Sequence, residues 1–151
     1  MQRKHRNISA LATLSLPALV AIVGALSAPV LADTSVKVEL WDKADGSQGI
    51  KLSTSEVKAG PVTFVVTNSS KKLEHEFMIL KTDMTADQFP VKSKGSKVDE
   101  DKLDGMHEFG DVEEGETETW STELTPGRWV LFCNETGHFK AGMHTTLMVT
   151  P

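Results

Sequence analysis

Apolar and polar residues alternate along much of the chain beyond residue 34, and this pattern predicts β-strands. Residues 36–40 alternate with a period of two, which is typical of a half-buried strand. Residues 62–67 are β-branched and aromatic, and 77–80 form a short apolar run. Further strands are predicted at 50–52, 117–124, 128–133 and 144–149. About seven to eight short strands separated by turns predict an all-β sandwich or barrel.

Residues 82–105 interrupt this alternation. The segment is rich in Asp, Glu and Lys, and its apolar residues Phe89, Val91, Val98 and Leu103 are scattered. We therefore expect a charged surface excursion at 82–105 with one or two short helical turns, held to the domain by these anchors.

The first 32 residues have the three-part layout of a secretory signal peptide. Arg3, Lys4 and Arg6 precede a mostly apolar stretch at 8–26, and Val-Leu-Ala at 30–32 forms a small-residue cleavage site. We predict a signal peptide at 1–32 and a mature domain at 33–151 in the periplasm, with no stable membrane insertion after cleavage. A retained membrane anchor is the alternative, because the apolar stretch is about long enough to span a bilayer.

The charge balance narrows the choice of partner. The chain has 16 basic and 21 acidic residues; loss of Arg3, Lys4 and Arg6 leaves 13 basic residues and a net charge of −8. Nucleic acids and anionic membrane surfaces both attract basic proteins, so neither is an expected partner. The net negative charge would instead favour a cation or a basic protein as a partner.

The single cysteine also limits the chemistry. It excludes a disulfide within the chain and any zinc or iron–sulfur site built from several cysteines. The sequence contains no phosphate-cradling glycine loop and no paired-acid motif in a suitable context. We therefore expect a protein that is not an enzyme.

The candidate chemistry lies in one short segment near the C-terminus. Cys133, His138 and Met143 are spaced by five residues each, and a glycine precedes each of the last two. Glycine permits positive φ, so the loop can turn these donors toward one point. His75, which precedes the apolar run at 77–80, is the candidate for a fourth donor.

A thiolate, two imidazoles and a weak axial thioether form the arrangement of blue copper sites. Zinc could occupy the same donors, although one Cys with a Met is an unusual zinc set. The structural alternatives are a buried thiol at Cys133 and a core side chain at Met143. His144 is a possible substitute ligand, although in an extended strand it should point away from Met143.

Met106 and His107 form a second pair that follows the excursion. They could make a weak auxiliary copper site. The alternative is a surface histidine beside a core methionine.

The tail of the sequence resembles the small cupredoxins, the plastocyanin- and azurin-like blue copper proteins. The resemblance rests on Trp-Val-Leu-Phe-Cys at 129–133, Gly-His at 137–138, Gly-Met at 142–143, Leu-Met-Val at 147–149 and an upstream histidine, His75. It implies a Greek-key β-sandwich with one copper ion at one end. It also implies that His75, Cys133 and His138 are equatorial ligands and that Met143 is the axial ligand.

Two features depart from that family. Four residues lie between Cys133 and His138, and four lie between His138 and Met143. Plastocyanin has fewer residues in the first interval, and azurin has fewer in the second. The residue after the first histidine is Glu76, where the family often has an asparagine. The backbone N–H of Glu76 can still donate to the thiolate, but we expect its carboxylate to alter the surroundings of the metal.

The resemblance implies a monomeric electron carrier that cycles between Cu(I) and Cu(II). Its partners would be redox proteins, for which a basic docking surface would complement the acidic residues at 113–118. Phe139, Ala141 and Gly142 beside His138 are expected to form a small apolar docking patch. Copper delivery, storage or tolerance is the alternative function. A third hypothesis is an interaction module that binds no metal.

Overall fold

A computed structural model describes residues 34–92 and 97–151, and this part of the chain folds into nine β-strands. The strands are β1 (Thr34–Asp42), β2 (Gln48–Leu52), β3 (Glu56–Lys58), β4 (Gly60–Asn68), β5 (His75–Lys81), β6 (Met106–Val112), β7 (Thr117–Leu124), β8 (Gly127–Phe132) and β9 (His144–Thr150). The predicted all-β class is confirmed. The predicted signal peptide at 1–32 lies outside the described residues and stays a prediction.

The strands form two mixed sheets. One has the order β2-β1-β4-β7 and the other β3-β9-β8-β5-β6. β1 pairs parallel to β4, and β3 pairs parallel to β9, while the other neighbours are antiparallel. The end of β1, the start of β5 and the end of β8 come together at one end of the sandwich, where the candidate site lies.

The main core fills the space between the sheets. Alternate residues of β1 and β4 point into it, so that Val36 and Val38 lie beside Phe64 and Val66 on the inner face of the same sheet. The core also contains Cys133 and Met143. The candidate site is therefore continuous with the core.

A second apolar cluster lies on the other face of β5. There Phe89 and Val98, from the described parts of the excursion at 82–92 and 97–105, are buried against Met78 and Leu80. Six consecutive residues of β5 are buried because both faces of this strand are covered. Val91 was also predicted to be an anchor, but it is not buried, because 39% of its surface is exposed.

One or two short helical turns were predicted in the excursion, and the structure has two, at Ala86–Gln88 and Glu100–Lys102. Both are single 3₁₀ turns. No helix within residues 34–92 and 97–151 is long and apolar enough to cross a membrane.

Two strands, β3 and β6, were not predicted. β3 has three residues, which is too short to show a period. β6 contains Glu108, Gly110 and Asp111, and it lies at the edge of its sheet, where it pairs only with β5. Phe109 and Val112 of β6 reach the core, but its glycine and charged residues, which an edge strand tolerates, hide the strand pattern.

Candidate metal centre

Three separate parts of the chain bring the candidate donors together. His75 is the first residue of β5, Cys133 follows the last residue of β8, and His138 lies in the loop between β8 and β9. His75 and Cys133 are fully buried, whereas His138 is partly exposed. Their ligand atoms all lie within 4.8 Å of one another.

The three donor atoms form a nearly regular triangle. His75 Nδ1 lies 3.2 Å from His138 Nδ1, and Cys133 Sγ lies 3.4 Å from His138 Nδ1 and 3.9 Å from His75 Nδ1. The point equidistant from all three is about 2 Å from each, which is close to the bond lengths of imidazole and thiolate to a first-row metal ion. The triangle is therefore the right size for one such ion.

The loop between β8 and β9 folds back on itself through backbone hydrogen bonds. The N–H of Met143 donates to the carbonyl of His138 (3.0 Å), and the N–H of Cys133 donates to the carbonyl of Met143 (3.1 Å). Gly137 and Gly142 have φ of +87° and +97°, as predicted from their places before His138 and Met143. These bonds place Met143, which is fully buried, beside Cys133.

Burial controls the protonation of the three donors. It raises the pKa of the Cys133 thiol to about 11. Burial also lowers the pKa of His75 and of His138, and in His75 the neighbouring His138 adds to the effect. Without a metal, the site thus holds a neutral thiol and two neutral imidazoles at neutral pH.

Glu76 contributes to the site in two ways. Its backbone N–H donates to Cys133 Sγ at 3.4 Å, as the sequence analysis anticipated. Its side chain points to the opposite face of β5, toward the excursion, where burial raises the pKa of its carboxyl to about 7. The Glu76 carboxylate therefore lies on the side away from the donor triangle.

Three carboxylates that are partly or fully exposed lie close together near the site. Glu74, Asp111 and Glu135 have carboxylate oxygens within 4.8 Å of one another. A hydrogen bond with Glu113, together with these negative neighbours, raises the pKa of Glu74. Glu135 also forms an ion pair with Lys97 at 3.3 Å. The acidic residues predicted to guide a partner were those at 113–118. Glu74, Asp111 and Glu135 were not predicted, because only the fold brings them together.

The other candidate donors lie elsewhere. His144 faces away from the triangle, as expected, and its ring contacts Phe139 at a centroid distance of 5.2 Å. His107 packs against Phe109 and Trp129, and its Nδ1 lies 3.4 Å from the hydroxyl of Thr122. His107 thus occupies an aromatic layer, which favours its structural interpretation over an auxiliary copper site.

Comparison with solved structures identifies the architecture. Rusticyanin from Thiobacillus ferrooxidans matches with a TM-score of 0.56 and 15% identity, over 77% of this chain and 76% of that one. Auracyanin from Roseiflexus castenholzii matches with a TM-score of 0.50 and 18% identity, over 80% and 99%. Auracyanin B gives 0.55 and 18%, over 78% and 89%. The chain therefore has the cupredoxin fold. No family model and no curated protein sequence matches it.

Proposed function

We propose that this chain is a type 1 copper protein that carries single electrons between redox partners outside the cytoplasm. The observation that carries the proposal is the donor triangle of His75, Cys133 and His138, whose sides are 3.2, 3.4 and 3.9 Å. A thiolate with two imidazoles accommodates copper in both of its common oxidation states. The fold supports the proposal, because a rusticyanin among the matched structures is described as a copper protein.

Each donor has a role that its environment supports. Cys133 supplies the thiolate, and the backbone N–H of Glu76 donates to its sulfur. His75 supplies an imidazole held rigidly at the start of β5. His138 would supply the second imidazole, and the buried Met143 of the same loop would supply a thioether.

Bound copper supplies a one-electron couple between Cu(I) and Cu(II). The residues of this chain hold the donors in one arrangement, because Cys133 and Met143 belong to the packed core. Burial also keeps His75, Cys133 and Met143 away from water. His138 is the donor nearest to solvent, so its ring provides the route by which an electron enters or leaves.

Four protein donors leave no open coordination position for a substrate, in contrast to catalytic metal sites. We therefore propose electron transfer without catalysis. Because the donors are the same in both oxidation states, little has to move when the electron arrives.

We propose that the redox partner presents a basic surface. Glu74, Asp111 and Glu135 lie close together, and the charge of Glu135 acts on His138. This acidic cluster would attract positive charge. The expected apolar docking patch is smaller than the sequence suggested, because Phe139 is 5% exposed and packs in the second cluster. Ala141 and Gly142 remain exposed beside the loop. A small contact of this kind suits a carrier that must dissociate quickly.

Addition of one equivalent of Cu(II) to the purified protein tests the proposal. We expect an intense visible band that is absent from Cys133→Ser and retained in Thr136→Ala, a control in the same loop with an exposed side chain. The band should vanish on reduction and return on oxidation. A colourless protein that takes up only Cu(I) would instead support copper delivery or storage, and no stoichiometric binding in either state would overturn both functions.

A further inference from the structure

We propose that Asp42 is a positioning residue for His75, and that its carboxylate accepts a hydrogen bond from His75 Nε2–H. The inference rests on the proposed function, since the imidazole that Asp42 orients is the one assigned to copper. Asp42 is the last residue of β1, 33 positions before His75 in the sequence. Only the fold brings the two side chains together.

The position of Asp42 in its strand is unusual. The core-facing row of β1 consists of Val36, Val38 and Leu40, and Asp42 is the next member of that row. Gln48 lies directly opposite Asp42 on β2, in a row whose next member is Ile50. Polar side chains thus replace apolar ones at the end of the sandwich that holds His75. A carboxylate in such a row is costly unless it finds a partner.

The pattern of missing hydrogen bonds identifies that partner. Among the described residues, three buried side-chain atoms have no hydrogen-bond partner: Asp42 Oδ1, Gln48 Oε1 and His75 Nε2. The two oxygens can only accept a hydrogen bond, so neither satisfies the other. His75 Nε2 is the one atom of the three that can donate. It lies 3.7 Å from Asp42 Oδ1.

This distance is about 0.5 Å longer than the upper end of a direct N–H···O hydrogen bond. The side chain of Asp42 is at a strand end and 20% exposed, so a small rotation can close the gap. Asp42 and His75 thus face each other within reach of a direct hydrogen bond.

The opposite edge of the same ring explains why the bond matters. His75 Nδ1 faces His138 Nδ1 at 3.2 Å and Cys133 Sγ at 3.9 Å. A neutral imidazole carries one proton, on either Nδ1 or Nε2. An acceptor at Nε2 holds the proton there, so that the lone pair of Nδ1 is directed into the donor triangle. Carboxylates that accept from metal-bound histidines act in this way in other metalloproteins.

The first measurement uses the metal-free, reduced protein and nitrogen-15 NMR of the histidine rings. We expect His75 to be the Nε2–H tautomer in the wild type and in Asp42→Asn, whose side-chain oxygen can still accept. Asp42→Ala should give a mixture of tautomers. The matched control is Glu39→Gln, which removes the same charge from the same strand, where Glu39 bonds to Ser69 instead.

The second measurement is the affinity for copper, read from the visible band in competition with a chelator. We expect Asp42→Ala to weaken binding by about 10- to 100-fold and to retain the band. Asp42→Asn should restore most of the loss, and Glu39→Gln should bind within about twofold of the wild type. Thermal unfolding of each variant checks that the comparison is made between folded proteins.

Retention of the Nε2–H tautomer in Asp42→Ala would overturn the inference. So would equal losses of affinity in Asp42→Ala and Glu39→Gln, since charge alone would then account for both. A wild type that binds no copper would overturn the proposed function instead, and the tautomers of the metal-free protein would still decide the role of Asp42.

Discussion

Cys133 has surroundings that oppose ionisation of its thiol until a metal ion arrives. Burial raises its pKa to about 11, although backbone N–H groups of Glu135 and Glu76 donate to the sulfur and lower the pKa in part. A buried thiolate that already has these donors is stable once a cation neutralises its charge. The site is therefore prepared for the metal-bound thiolate but holds a thiol without it.

Copper binding at pH 8 is expected to release about one proton per copper ion, because the Cys133 thiol ionises while His75 and His138 are already neutral. Since the metal competes with one proton, the apparent affinity should rise about tenfold per pH unit between pH 7 and 9. A pH-stat titration measures the release. Cys133→Ser should release no proton, and a wild type that releases none would show that the thiol is not a ligand.

Met143 is fully buried and its replacement by leucine conserves volume, so Met143→Leu is expected to cost under about 1.5 kcal/mol of stability. The visible band should persist, since Cys133 supplies it. The reduction potential should rise, because a thioether near the metal stabilises the more highly charged Cu(II) better than a hydrocarbon does.

A redox titration measures this potential. Leu147→Met is the control, because it makes the reverse exchange at a buried position of β9. An unchanged potential in Met143→Leu would contradict the axial role.

At the scale of elements, the excursion at 82–105 is a second structural layer. It covers the outer face of β5. One side chain from the loop between β8 and β9, called the ligand loop because it contains His138 and Met143, holds it there by hydrogen bonds. Asn134 is fully buried, and its Oδ1 accepts from the backbone N–H of Val98 at 2.7 Å. Its Nδ2 donates to the carbonyl of Val98 and to Glu100. Cys133 and the excursion are therefore linked through adjacent residues.

Asn134→Ala is expected to lower the free energy of unfolding by about 1–3 kcal/mol, because it leaves the buried N–H of Val98 without an acceptor. Amide hydrogen exchange should also quicken at 98–103. Urea unfolding and exchange measured by mass spectrometry test both effects. The exposed Thr136→Ala should change stability by under about 0.5 kcal/mol, and an equal effect in the two variants would contradict the fastening role.

At the scale of the whole molecule, the distribution of charge favours encounters at one end. The chain has a net charge of −5, and the carboxylates of Glu74 and Asp111 lie close to that of Glu135, whose charge acts on His138. Such a cluster raises the local concentration of cations and orients their approach. Its effect should fall when salt screens the surface.

Electron exchange with a cationic cobalt complex should therefore slow as ionic strength rises from about 0.01 to 0.2 M, whereas exchange with ferricyanide should quicken. At low salt, Asp111→Asn should lower the rate with the cobalt complex about twofold. Stopped-flow absorbance measures both rates. Asp83→Asn is the matched control, because this exposed residue follows the far end of β5. Equal rates in the two variants would contradict steering at this end.

Much of the fold could be predicted from local pattern. Alternation at 36–40 and β-branched residues at 62–67 specified strands whose core-facing rows the structure confirms. The strands that pattern missed, β3 and β6, are a three-residue strand and a polar edge strand. Their assignment depends on pairing with β9 and β5, and that pairing is a property of the tertiary structure.

The ligand loop could be predicted because its information is local. The intervals between Cys133, His138 and Met143, with glycine before two of them, specify a tight loop whatever the rest of the chain does. The sequence also marked His75, but only as a histidine before an apolar strand. Its distances of 3.2 and 3.9 Å to the loop donors required the assembled sandwich.

Local pattern was enough to predict the all-β class, the candidate donors of the loop and the chemistry that soft sulfur and imidazole donors share. The distant residues around them depend on the fold: Asp42 next to His75, Asn134 beneath the excursion, and Glu74 and Asp111 next to Glu135. The reason is physical. Strand pattern and loop conformation depend on neighbours in sequence, whereas burial, hydrogen-bond partners and charge clusters depend on neighbours in space.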